Sequence, residues 1–67
     1  MDNLFVFSNK SKTLISLNDI RYCEVEDVRI DVSYIGEGTV EIYFDDKNSA
    51  RRDYEKLIRF LKGNTHE

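Results

Sequence analysis

Two sets of side chains in this chain have the types and spacing to act on something. The first is acidic: Glu24, Glu26, Asp27 and Asp31, followed by Asp45 and Asp46. Paired carboxylates do acid–base work only in a pocket that perturbs their pKa values. A chain of 67 residues has little room for such a pocket. The spacing also lacks the central glycine and closing glutamate of an EF-hand loop. Solvated strand edges and turns account for the first four acids, and helix capping accounts for the last two. The second set is basic. Arg51, Arg52, Lys56, Arg59 and Lys62 fall on one face of a helical repeat, interrupted only by Glu55, which can pair with Arg51 or Arg59. Such a stripe can bind phosphate backbones, although a solvated helix face is its commoner meaning.

The remaining reactive residues are isolated. His66 is the single histidine and has no cysteine or second histidine at ligand spacing, so no metal site is expected. Cys23 lies mid-strand with no base near it in sequence and reads as a small core residue. Gly36-Glu37-Gly38 leads into a strand rather than a helix, so no helix N-terminus waits to receive a phosphate. No nucleophile–base pair, metal set or phosphate loop is present. The expectation is a protein that is not an enzyme, with no catalytic residue and no cofactor.

The charge distribution divides the chain. Residues 1–46 carry four bases and ten acids, giving −6, and residues 47–67 carry six bases and three acids, giving +3. The whole sums to −3. The acidic half argues against a broad nucleic-acid footprint. No apolar run approaches the roughly 20 residues needed to span a bilayer, and the N-terminus has no secretory pattern. With a single cysteine, no disulfide forms within the chain. A cytoplasmic location without membrane contact is expected.

The elements that position these groups are legible from periodicity. Leu4–Phe7 reads as a short strand, residues 8–12 as a turn, Thr13–Leu17 as a second strand and Ile20–Glu26 as a third. In the third strand, Tyr22 competes with Cys23 and Val25 for the inner face. Val28, Ile30, Val32 and Tyr34 alternate with polar residues, as do Val40, Ile42 and Phe44, so Val28–Ile35 and Thr39–Phe44 form a hairpin across the glycines. Asp46 caps a helix carrying Ala50, Tyr54, Leu57, Ile58 and Leu61 on an arc of roughly 160°. Gly63 is its expected end. The fold class is α+β: an antiparallel sheet of four to five strands with one C-terminal amphipathic helix packed on one face. Residues 1–63 form the single domain and 64–67 a disordered tail. Tyr54, Leu57, Ile58 and Leu61 are expected against Val28, Ile30, Val32, Val40, Ile42 and Phe44.

One helix covers one face of a sheet. Tyr43 then points away from it, Tyr22 is placed to do the same, and Phe5 and Phe7 sit on a strand apolar on both sides. These four aromatics are the expected partner-binding residues. A homodimer is the simplest source of a second buried surface. Closure of the sheet by the N-terminal strand, as in a small barrel, is the competing arrangement.

The segment Val40–Leu61, VEIYFDDKNSARRDYEKLIRFL, resembles a recurrent ending of small bacterial and bacteriophage proteins. There a strand closing on a Phe-acid pair is followed by a helix of the form A-x-x-x-Y-x-x-L. LNDIRYCEVEDVRIDVSYI resembles the preceding meander, which in some such proteins forms a reduced pleckstrin-homology-like sheet. The order of strands then helix is also similar to dimeric coactivator-type single-strand DNA binders, but their sheets are basic. With the chain's size, the first resemblance implies a small phage or mobile-element inhibitor of a host system; the exposed aromatics place its protein–protein contacts on the sheet face away from the helix. The alternative is a nucleic-acid or signalling-nucleotide binder using Arg51, Arg52, Lys56, Arg59 and Lys62.

Overall fold

A computed structural model describes residues 4–36 and 38–65, with side chains up to Lys62. Among them are five strands and one helix: β1 (Leu4–Val6), β2 (Leu14–Ser16), β3 (Ile20–Glu26), β4 (Arg29–Tyr34), β5 (Gly38–Tyr43) and α1 (Lys47–Thr65). The α+β class and the order of elements agree with the sequence. The single sheet does not: β1 and β2 form a two-stranded antiparallel sheet, and β3, β4 and β5 form a separate three-stranded one with β4 in the centre.

The break falls at Asn18-Asp19. Asp19 adopts φ 66°, a left-handed conformation that asparagine and aspartate tolerate better than most residues. The chain turns there instead of running β2 alongside β3. The β1–β2 hairpin then packs on the sheet face that α1 also covers. Phe5, Phe7, Ile15 and Leu17 from the hairpin share one core with Ile30, Val32, Ile42 and Phe44, and with Ala50 and Leu57 from the helix. The three-stranded sheet therefore has a covered inner face and an open outer one. The N-terminal strand closes no barrel around the outer face.

A β-bulge decides which residues point inward. The β3–β4 register shifts between Ile20 and Tyr22. One extra residue on a strand reverses the alternation beyond it. Ile20 can therefore pack on the core along with Cys23 and Val25, which strict alternation forbids. Tyr22 is sent outward, half-exposed at 51%.

The helix starts as expected: the Ser49 backbone N–H donates to Asp46 Oδ1 at 2.8 Å. It does not stop at Gly63 but continues to Thr65. A glycine costs about 1 kcal/mol in a helix interior but does not break one. Asn64 and Thr65, expected in the tail, are thus helical, while His66 lies outside the described residues. Val40, expected in the core, is 38% exposed. The helix lies over β3 and β4, so the far end of the edge strand β5 stays uncovered. Val28 and Ile58 are only half-buried.

Two polar clamps hold the hairpin to the rest. Asp53 on α1 is 2% exposed and accepts the Ser8 backbone N–H at 2.6 Å and the Ser8 hydroxyl at 3.0 Å. Asn9, 7% exposed, donates from Nδ2 to the Thr13 hydroxyl at 3.0 Å and to the Tyr43 carbonyl at 3.3 Å. A buried polar group needs such partners to offset its lost hydration.

Candidate interaction surface

The open face of the three-stranded sheet is built by the alternate residues of its strands. Cross-strand pairing sets them in rows. Glu26, Arg29 and Tyr43 form one row, Glu24, Asp31 and Glu41 the next, and Tyr22, Ser33 and Thr39 the third. The face carries four carboxylates and one guanidinium, a net −3, with a tyrosine at each of two opposite corners.

Arg29 organises this surface. Its Nη2 lies 2.9 Å from Glu26 Oε1 and its Nε 2.9 Å from Asp31 Oδ1. Asp31, by hydrogen bond and charge, together with Glu26 and Glu41, pushes the guanidinium pKa further up, so it stays charged at every physiological pH. The Tyr43 hydroxyl donates to Glu41 Oε1 at 2.9 Å. That bond and the Glu41 charge raise the phenol pKa, so Tyr43 remains a neutral donor. Tyr43 is 56% exposed, with a ring oriented by its hydroxyl. An amphipathic aromatic already held in place is a low-entropy contact for a partner.

The middle row is electrostatically unfavourable in isolation. Glu24, Asp31 and Glu41 sit directly opposite one another on three adjacent strands. Like charges in that relation destabilise a sheet, and Arg29 compensates only part of it.

Phe5 and Phe7 do not belong to this surface. They are 4% and 0% exposed, and their rings pack edge-to-face 5.0 Å apart, with Phe60 5.3 Å from Phe5 and Phe44 6.1 Å from Phe7. The hairpin spends its aromatic side on the core. Its outward side shows Leu4, Val6 and Leu14 instead, each about half exposed. Of the four aromatics expected at a partner surface, the structure brings Tyr22 and Tyr43 to the open face and withdraws the two phenylalanines.

Arg51, Arg52, Lys56, Arg59 and Lys62 are all exposed on α1. Both ion pairs found among the described residues belong to Arg29, so Arg51, Arg52, Lys56 and Arg59 are not tied to the acidic sheet. The acidic and basic surfaces lie on opposite sides of the molecule. Even its shortest dimension, 19 Å, exceeds twice the roughly 8 Å screening length at physiological salt. At that separation the two surfaces do not neutralise each other.

Cys23 packs half-buried against the core, and burial raises its thiol pKa. That is the opposite of the shift a cysteine nucleophile needs. Among the described residues, no group of three or more His, Cys, Asp or Glu is arranged to hold a metal ion, and no helix is long and apolar enough to cross a membrane. A shallow cavity of about 300 Å³ lies at the β2–β3 turn, lined by Ser16, Asn18, Asp19, Tyr34 and Ile35. It holds no histidine, cysteine or basic side chain.

Of the outer-face residues, Glu41 and Arg29 carried no expectation of a binding role. Their signal was the polar phase of the alternation in two strands whose apolar phase was already assigned. Asp53 and Ser8 were also passed over. Asp53 falls three residues after Ala50 and four before Leu57, inside the apolar arc, and a carboxylate at such a position must find buried donors.

Comparison with protein-family models, with curated proteins and with solved structures finds no match to this chain.

Proposed function

We propose that this protein is a non-enzymatic interaction module whose open sheet face binds a basic surface on a protein partner. The observation that carries the proposal is Tyr43: half exposed, fixed by its hydroxyl on Glu41, and set beside Arg29 on a face that neither the helix nor the hairpin covers. Tyrosine and arginine are the residues most often found to dominate interface energetics. The surrounding carboxylates select a cationic partner and speed its approach. A flat, open face suits a protein better than a small molecule, which needs a concave site. The resemblance to small phage and mobile-element proteins makes a cytoplasmic host component the class of partner, with this chain as its inhibitor.

The test is capture of partners from host extract with the native chain, followed by direct titration of each candidate. Binding is expected to fall at least tenfold with Tyr43→Glu and with Glu24→Lys plus Glu41→Lys, and to survive Arg52→Glu plus Arg59→Glu. The reverse pattern transfers the function to the helix. That second reading, nucleic-acid or nucleotide binding, is favoured by one observation: four helix cations, interrupted only by Glu55, are exposed on the side away from the sheet's carboxylates. Titration of DNA and RNA, with a steep salt dependence lost on Arg52→Glu plus Arg59→Glu, identifies it.

A further inference from the structure

The molecule carries a surface complementary to its own open face. The central row, Glu24, Asp31 and Glu41, crosses three adjacent strands and spans about 10 Å at two strand spacings. On α1, Arg52, Lys56 and Arg59 follow one another at i, i+4 and i+7. They fall within roughly 60° of the helix circumference and rise about 10 Å along it. The two rows are equal in number and length and opposite in sign, with Asp31 already sharing its charge with Arg29. All three cations are exposed, and none makes an ion pair among the described residues.

We infer that the open sheet face of one copy receives the basic helix stripe of a second copy, head to tail. This rests on the reading of the sheet face as a binding surface for a cationic partner and names one such partner. A two-fold pair through the sheet faces would set −3 against −3, whereas sheet against helix sets a net −3 against three cations. The two surfaces lie on opposite sides of the chain, so the contact is heterologous. Each copy keeps one surface unused, and assembly continues past two unless the rotation closes a ring. The sheet plane is small, on the order of 300 Å² for three strands of six residues. That is well under the roughly 800 Å² per partner of a stable complex, so association is weak, concentration-dependent and sensitive to salt. A host partner competes for the same face, and self-association holds the surface in reserve until that partner is met.

Sedimentation of the full chain tests this. At about 1 mM protein and about 0.02 M salt, where the screening length exceeds 20 Å, the weight-average mass is expected to rise more than twofold over the monomer, with no plateau at the dimer unless a ring closes. At about 0.5 M salt it returns to the monomer. Arg52→Glu with Lys56→Glu and Arg59→Glu makes one blocked variant, and Glu24→Lys with Glu41→Lys makes another. Each alone stays monomeric. Mixed, they associate again, because each supplies the surface the other has lost and the two reversed surfaces are themselves of opposite sign. Circular dichroism of each variant confirms that it is folded, and the salt series on the native chain needs no variant. A native chain that stays monomeric at low salt overturns the inference, as does a mixture that stays monomeric or a dimer indifferent to reversal of the helix charges. The binding role of the sheet face then still stands or falls on partner loss with Tyr43→Glu.

Discussion

The inner and outer faces of the three-stranded sheet come from the same strands, one residue out of phase, and they obey different physics. Inward, Cys23, Val25, Ile30, Val32 and Ile42 meet the helix and the N-terminal hairpin, and Ile30 and Val32 are fully enclosed. Outward, Tyr22, Glu24, Arg29, Glu41 and Tyr43 meet water. The inner face stabilises the fold by removing apolar area from solvent, roughly 25 cal/mol per Å². The outer face contributes little and, in its central row, opposes folding. Charge and aromatic groups retained at some cost to stability are characteristic of a surface with another task.

Large-to-small substitution on the two faces breaks this comparison most directly. Leu57 is fully buried, and Leu57→Ala is expected to cost about 2–5 kcal/mol in urea denaturation. Tyr43→Ala should leave the midpoint unchanged. Equal losses for the two would mean that the outer face is structural.

The next effect concerns the clamp that binds the hairpin over the inner face. Asp53→Ala removes the acceptor for the Ser8 N–H and hydroxyl and should cost about 1–3 kcal/mol. Ser8→Ala tested in the same double-mutant cycle should show strong coupling to Asp53. Additivity of the two would detach Ser8 from the clamp.

A smaller effect sits at the helix start. The Ser49 N–H and hydroxyl hold the Asp46 carboxyl below its ordinary 3.8. A lowered folded-state pKa stabilises the protein above the ordinary value, and that contribution is lost as pH falls through the lowered one. Asp46→Ala should lower the melting temperature by a few degrees at pH 7. The difference from the native chain should shrink as pH falls through the lowered pKa.

The smallest effect has the opposite sign. Glu24→Gln relieves the like-charge row and should raise the melting temperature by about 1–2 °C at low salt, and less at high salt. A fall instead would show that Glu24 supports the fold, and would remove the contrast between the faces.

Regular alternation made half of this architecture legible. The β4–β5 hairpin, the Asp46 cap and the outward Tyr43 follow directly from period and turn chemistry. The failures share a cause, which is that short strands carry little pattern. β1 and β2 have three residues each, too few to show which sheet they join, so the hairpin's position over the inner face was hidden and Phe5 and Phe7 looked available. Tyr22 and Cys23 competed because the bulge after Ile20 places two alternations of opposite phase in one strand. The acidic rows were visible as residues but not as rows, since only the register brings Glu24, Asp31 and Glu41 side by side.

Cys23 gives the molecule a built-in clock. It is the sole thiol, half-buried on the inner face, and its carbonyl accepts the Tyr54 hydroxyl of the overlying helix at 3.5 Å. The overlying helix shields part of the thiol from a bulky reagent. Its labelling rate at mildly alkaline pH, divided by the rate in denaturant, therefore measures how well the helix protects the inner face in the native protein.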